Sequence, residues 1–381
     1  MNQNEKIQIL QDIIKMPTIN DQEDQVANYL KSLFDRYKIP SHKVEYAKNR
    51  SNIVAELKAG NGPVLVLSGH MDVVSPGDES TWKYPPFTAF IEGNRLYGRG
   101  ASDMKAGTAA LAIAMMELKE EGAEFKGTLR YLGTVGEEIG ELGSQQLTEK
   151  GYIDDMDGLL IGEPTGYSIV YTHKGSINYT VTSKGKSSHS SNPDLGINAI
   201  EPLITFYQKE NEIMKPFEGK SNHALGRLVH SITVLQGGNQ VNSVPEQAFI
   251  QGNVRTIPET PNDAVIQSLM TLVEEINTST DCEVSITIDY NKIPVDSNRD
   301  SRLIQAARQV VKDKHHIDLK TIGISATTDA AEFSKVNRPF DFMIFGPGIP
   351  ALAHQKDEYV EIDQYLEMIE LYKEIIKNYL I

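Results

Sequence analysis

A chain of 381 residues with 40% hydrophobic content can bury a full core, and its length suggests two domains. Its 37 Lys and Arg face 52 Asp and Glu, and the resulting charge of −15 repels phosphate backbones and anionic lipid, so neither nucleic acid nor membrane is expected as a partner. One cysteine, Cys282, excludes an internal disulfide and any cysteine-rich zinc motif, leaving histidines and carboxylates as the available metal ligands.

At the amino terminus Ile7, Leu10, Ile13 and Ile14 recur at helical spacing between charged residues, which predicts a helix over 1–14 and not a signal peptide. No apolar run approaches the roughly 18 residues of a membrane span, so a cytoplasmic protein is expected. A second helix is predicted over 22–37, with Val26, Leu30, Leu33 and Phe34 on one face, followed by strands over 52–57 and 64–67. An Ala- and Met-rich helix over 104–121 and strands over 128–134 and 158–161 complete an alternation that implies a mostly parallel sheet covered on both faces.

From about residue 174 the pattern changes. It reads strand 177–183, helix 198–213, strands 228–235 and 247–254, a helix with Thr260 as cap and Pro261 at its first position, and strand 283–290. That order is βαββαβ, a ferredoxin-like unit. The α/β pattern resumes with a helix from 300, short strands near 322 and over 342–345, and a last helix from 362. The expected organisation is a small domain, 174–291, inserted into a larger α/β domain formed by 1–173 and 292–381.

Polar residues gather where these strands end. His70 and Asp72 follow the buried run 64–67, at the carboxyl end where open α/β sheets bind ligands. The loop Gly98-Arg99-Gly100-Ala101-Ser102-Asp103 opens onto a helix; a carboxylate there suits a cation better than a phosphate, although Asp103 could equally serve as a plain helix cap. Glu137 and Glu138 follow the strand 128–134, Glu163 follows 158–161, and His354 follows 342–345 and its loop. Each alone reads as a solvated loop residue, but together they point to one site. Two dications against Asp103, Glu138 and Glu163 leave about +1, which a hydroxide or substrate oxygen neutralises. Paired metals acidify water and polarise a carbonyl, so hydrolysis is the expected reaction class.

These motifs give the chain a resemblance to the M20 metallopeptidase family, over essentially its whole length. The resemblance rests on Trp82-Lys83-Tyr84-Pro85-Pro86-Phe87, Gly98-Arg99-Gly100-Ala101-Ser102-Asp103-Met104-Lys105, and Phe345-Gly346-Pro347-Gly348 ahead of His354-Gln355-Lys356-Asp357-Glu358. Within the family it is greatest to the Gram-positive succinyl-diaminopimelate desuccinylases. It implies a zinc-peptidase catalytic domain holding two zinc ions, with cobalt as a substitute: His70 and Glu163 on one, Glu138 and His354 on the other, and Asp103 bridging both. Glu137 would be the general base, Asp72 would orient His70, and the Asp103–Met104 peptide would be cis. The inserted domain would be a lid and homodimerisation domain whose His189 reaches the substrate carbonyl oxygen, with Asn242 and Arg255 also at the substrate.

Where desuccinylases of other bacteria carry two arginines before a Gly-Ser, this chain has His173-Lys174-Gly175-Ser176, so Lys174, His173 and the Thr327-Thr328 segment are the candidates for binding the succinyl carboxylate. The implied substrate is an N-acyl amino acid, with N-succinyl-LL-2,6-diaminopimelate ahead of N-acetylornithine or a dipeptide. A metal-binding interaction protein without catalysis is the alternative from another class, and retention of Glu137 argues against it. Cys282, His315, His316 and Trp82 read as structural.

Overall fold

The computed structural model describes residues 1–380, and the chain divides into two units: Met1–Tyr171, Ser297–Ile322 and Thr328 onward form one, Thr172–Asp296 and Gly323–Thr327 the other. The first unit opens with α1 (Gln3–Ile14). Its N-cap Asn2 accepts from the Glu5 N–H at 3.0 Å and Glu5 accepts from the Asn2 N–H at 2.8 Å, which satisfies two backbone donors that lack intrahelical partners. In α2 (Asp24–Arg36) the stripe Val26, Leu30, Leu33 and Phe34 is buried. There follow β1 (Ser41–Ala47), β2 (Arg50–Ala59), β3 (Val64–His70), β4 (Phe90–Glu92), β5 (Arg95–Tyr97), α3 (Lys105–Glu120), β6 (Gly127–Thr134), α4 (Leu142–Glu149), β7 (Gly158–Ile161) and β8 (Ile169–His173).

The second unit contains β9 (Ser176–Lys184), β10 (Ser188–His189), α5 (Glu201–Glu218), β11 (Val229–Gly237), β12 (Ser243–Val244), β13 (Gln247–Arg255), α6 (Asn262–Asn277) and β14 (Glu283–Lys292). The chain continues through α7 (Arg302–His315), β15 (Thr321–Ile324), α8 (Ala330–Phe333), β16 (Asp341–Ile344), β17 (Tyr359–Glu361) and α9 (Ile362–Tyr379).

The large sheet runs β1-β2-β6-β3-β7-β16-β8-β15. Its centre, β6-β3-β7-β16, is parallel, and β1, β2 and β8 are antiparallel additions. Every residue of β3 is buried, the pattern of a strand covered on both faces. Because β3, β6 and β7 run the same way, the residues that follow their carboxyl ends emerge at one edge: His70, Glu137 with Glu138, and Glu163. Helix α3 lies on β3 and against α9.

In the second unit β9 sits between β13 and β14, with β11 outermost, in a wholly antiparallel sheet of βαββαβ chain order. Helices α5 and α6 pack on each other, and Tyr179, Val181, Leu203, Phe206, Ile250, Leu269 and Ile276 are buried in one core. Thr260 does not cap α6. Its hydroxyl turns back onto Ile257, at 3.1 Å from both the N–H and the carbonyl oxygen, and Pro261 takes the cap position. Residues 292–296 and 323–327 pack with the second unit, where the sequence pattern assigns them to the larger domain. Among the described residues no helix is long and apolar enough to cross a membrane.

Candidate metal centre

His70 ends β3 opposite Thr134 of β6, and Thr108 of α3 donates its hydroxyl to the His70 carbonyl oxygen at 2.8 Å. The ring Nδ1 lies 2.9 Å from the Asp72 carbonyl oxygen. A carbonyl only accepts, so Nδ1 carries a proton and Nε2 is turned toward the carboxylates. Nε2 is 3.1 Å from Asp103 Oδ1 and 3.6 Å from Glu163 Oε1. The second oxygen of Asp103 lies 3.4 Å from His354 Nε2, which is itself 3.0 Å from Glu138 Oε2. Asp103 therefore faces one histidine with each oxygen. Potential ligand atoms of His70, Glu137 and Glu163 lie within 4.8 Å of one another, as do those of His70, Asp103 and Glu138. The Asp103–Met104 peptide is cis.

The carboxylate of Asp72 does not hold His70 as the sequence reading expects; its Oδ1 is 3.6 Å from Nδ1. It accepts instead from the Glu137 N–H at 3.1 Å and the Glu138 N–H at 3.2 Å. The turn that carries the two acids begins at Gly136, whose φ of 62° lies in the left-handed region that a side chain disfavours. Glycine is also required beneath Glu163. A Cβ on Gly107 would sit 1.8 Å from the Gly162 carbonyl oxygen, so only a bare backbone lets α3 approach that loop.

The other predicted site residues belong to the second unit. His189 is exposed on β10, opposite Ser243 of β12, with Nδ1 2.8 Å from the Ser191 hydroxyl; the Ser190 N–H donates to the Asn242 carbonyl oxygen at 3.0 Å, which brings those two loops together. Arg255 ends β13 and donates Nε–H to Asn253 Oδ1 at 3.2 Å. Lys174 donates to the Arg227 carbonyl oxygen at 2.6 Å, and burial together with Arg255 pushes its ammonium below the usual range. The Thr327 hydroxyl lies 3.4 Å from that of Tyr290. Fully buried His173 is pushed down to about 4 by desolvation, with its contact to the Lys174 carbonyl oxygen opposing.

A sequence profile described as peptidase family M20/M25/M40 matches residues 66–378. The chain belongs to this family. As an M20 protein it is 42% identical, over all of its length and 98% of the relative's, to a Staphylococcus aureus protein named probable succinyl-diaminopimelate desuccinylase. Among solved structures it is similar to an M20 metallo-carboxypeptidase from Sulfolobus solfataricus, at TM-score 0.80 and 22% identity over 100% of this chain and 99% of that one. It is similar also to a dinuclear metal-binding M20 peptidase from Bacillus subtilis, at TM-score 0.72 and 19% identity over 99% and 98%. This M20 protein is a metal-dependent amide hydrolase.

The electrostatics of the M20 site fit a cationic guest. Burial, then Asp103 and Glu138, hold the Glu163 carboxyl well above the usual carboxylate range, with His70 opposing. Burial does the same for Glu137, with Glu163, Glu138 and Asp329 adding to it against the pull of His70. Burial alone would lower His70, but Glu163, Asp103, Glu137 and Asp72 outweigh it and hold the imidazole well above its ordinary value. Dications relieve that crowding of anions. Two imidazoles and three carboxylates, with no thiolate, are donors that divalent metal ions take.

Three residues beside the M20 site escape sequence reasoning. Asp329 is buried and accepts from the Thr134 hydroxyl at 2.6 Å. Arg99 and Glu358 form a buried pair at 2.6 Å next to the Asp103 loop. Both lie inside motifs that carry the family resemblance, which was the available signal.

Proposed function

We propose that this M20 hydrolase removes the succinyl group from N-succinyl-LL-2,6-diaminopimelate, yielding succinate and LL-2,6-diaminopimelate in the cytoplasm. The reading rests on Asp103, which faces His70 and His354 with separate oxygens among three further acids, together with the full-length likeness to proteins of that name. His70 and Glu163 would hold one zinc ion and Glu138 and His354 the other, with Asp103 shared; cobalt would substitute. When bound, the two dications supply Lewis acidity toward the amide carbonyl and acidify the attacking water.

Glu137 takes the proton of that water as the C–O bond forms, and returns it to the departing nitrogen as the amide C–N bond breaks. Asp72 keeps Glu137 in place through the backbone. The second unit, ferredoxin-like and bounded near 174–291, serves as lid and homodimerisation domain. His189 donates to the substrate carbonyl oxygen, and Lys174, Asn242, Arg255 and Thr327 bind the polar ends of the substrate.

The test is hydrolysis of N-succinyl-LL-2,6-diaminopimelate and N-acetylornithine side by side by the zinc-loaded protein, with a chelated control. Preference for the succinyl compound supports the reading. Preference for the acetyl compound, or turnover of dipeptides alone, replaces it.

A further inference from the structure

Glu358 is fully buried, and its carboxylate is saturated with hydrogen bonds. Oε1 accepts from the backbone N–H groups of Ser102 at 2.8 Å and Asp103 at 2.9 Å; Oε2 accepts from the Gly100 N–H at 3.1 Å and from Arg99 Nη1 at 2.6 Å. Arg99 extends the grip. Its Nη1 also donates to the Gln355 carbonyl oxygen at 3.1 Å, and its Nη2 to the His354 carbonyl oxygen at 3.3 Å. The guanidinium lies over the Trp82 ring, 5.1 Å from its centroid, which fixes its plane.

One ion pair therefore holds two loops that meet at the metal centre: the loop of Asp103 and the loop of His354. These are the two segments that most need holding. His70 and Glu163 follow directly from β3 and β7, parallel neighbours at the sheet's centre. His354 stands on a loop with φ at 63°, and its side chain is 52% exposed. Of the residues assigned to the two cations, the pair His70 and Glu163 shares only Asp103 with the clamp. The pair Glu138 and His354 depends on it for both Asp103 and His354.

We propose that Glu358, acting through Arg99 and the backbone of residues 100–103, is a positioning residue that selectively supports the cation held by Glu138 and His354. The inference rests on the two-metal reading of the site. The pairing of β5 with β17, Tyr97 opposite Tyr359 and Leu96 opposite Val360, runs through residues other than Glu358.

The experiment is a Co2+ titration of the metal-stripped full-length chain, read by calorimetry and by the visible absorption of bound cobalt, in wild type, Glu358→Gln and Arg99→Lys. In Glu358→Gln an amide group faces N–H donors. We expect the first ion to bind within about threefold of wild type and the second about 10- to 100-fold more weakly, the usual range for losing a partner that orients a ligand. Arg99→Lys, which keeps the charge but loses the fork, moves the second ion in the same direction by less, and carries the test should Glu358→Gln fail to fold. Equal weakening of both ions, or an unchanged second ion, overturns the proposal. Uptake of fewer than two ions by wild type overturns the two-metal reading itself, and the proposal with it.

Discussion

Asp72 grips the backbone of Glu137: its Oδ1 accepts from the Glu137 N–H at 3.1 Å, while its other oxygen takes the Glu138 N–H at 3.2 Å and its own carbonyl takes the His70 Nδ1–H at 2.9 Å. One residue thereby sets the ring of His70 and the aim of both acids. In Asp72→Asn an amide group turns toward one of those N–H donors. We expect kcat to fall about 10- to 100-fold with little change in KM. Steady-state kinetics on metal-saturated protein checks it; a pure KM effect would contradict the account.

Glu137→Gln keeps the shape of the side chain and removes its proton affinity. The variant should bind the same number of metal ions as wild type and lose about 10²- to 10⁴-fold in kcat. Metal analysis and turnover on the same preparation separate this from a ligand role, in which ions would be lost together with activity. Undiminished biological activity would instead favour a binding protein.

Gly107 allows α3 to lie against the Gly162 carbonyl, which precedes Glu163 and is also crowded by Gly346, where a Cβ would come within 2.1 Å. Neither backbone can retreat without moving a ligand loop. Gly107→Ala should destabilise the protein by about 1–3 kcal/mol, the range for overpacking a tight interior. Urea denaturation measures it, and a stability equal to wild type would show that the helix can shift freely.

In the second unit His230 of β11 meets Glu210 of α5 at 2.9 Å, and Glu210 also accepts from the Tyr179 hydroxyl at 3.2 Å. The hydrogen bond to Glu210 is the main cause that raises the imidazole above its ordinary value. A group whose folded pKa is raised contributes stability that is fully present below the unfolded value and lost as pH rises through the folded one. Melting followed from pH 6 to 9 should show this loss above about pH 6.5 in wild type, and a smaller loss in His230→Gln.

Much of the site was legible because strand ends leave a one-dimensional signature. The apolar runs before His70, Glu137 and Glu163 correspond to β3, β6 and β7, and their parallel pairing brings those residues to one edge. Less legible were short elements with weak periodicity: the three-residue strands β4 and β5, the antiparallel β1 and β8, and the eight-residue α4. Hydrogen-bond partners were the least legible. Asp72 and His70 stand two residues apart, which suggests a side-chain contact, but the backbone carbonyl makes it. Glu358 reaches the Asp103 N–H across 255 residues of chain, a relation no local pattern records. Thr260 has the composition of a cap and spends its hydroxyl on Ile257.

The most direct test of the two-metal site is anomalous diffraction from crystals of the zinc-loaded protein. The account predicts two zinc peaks about 3.5–4 Å apart, one beside His70 and Glu163, the other beside Glu138 and His354, with Asp103 between them. A single peak, or two that do not share Asp103, would contradict it.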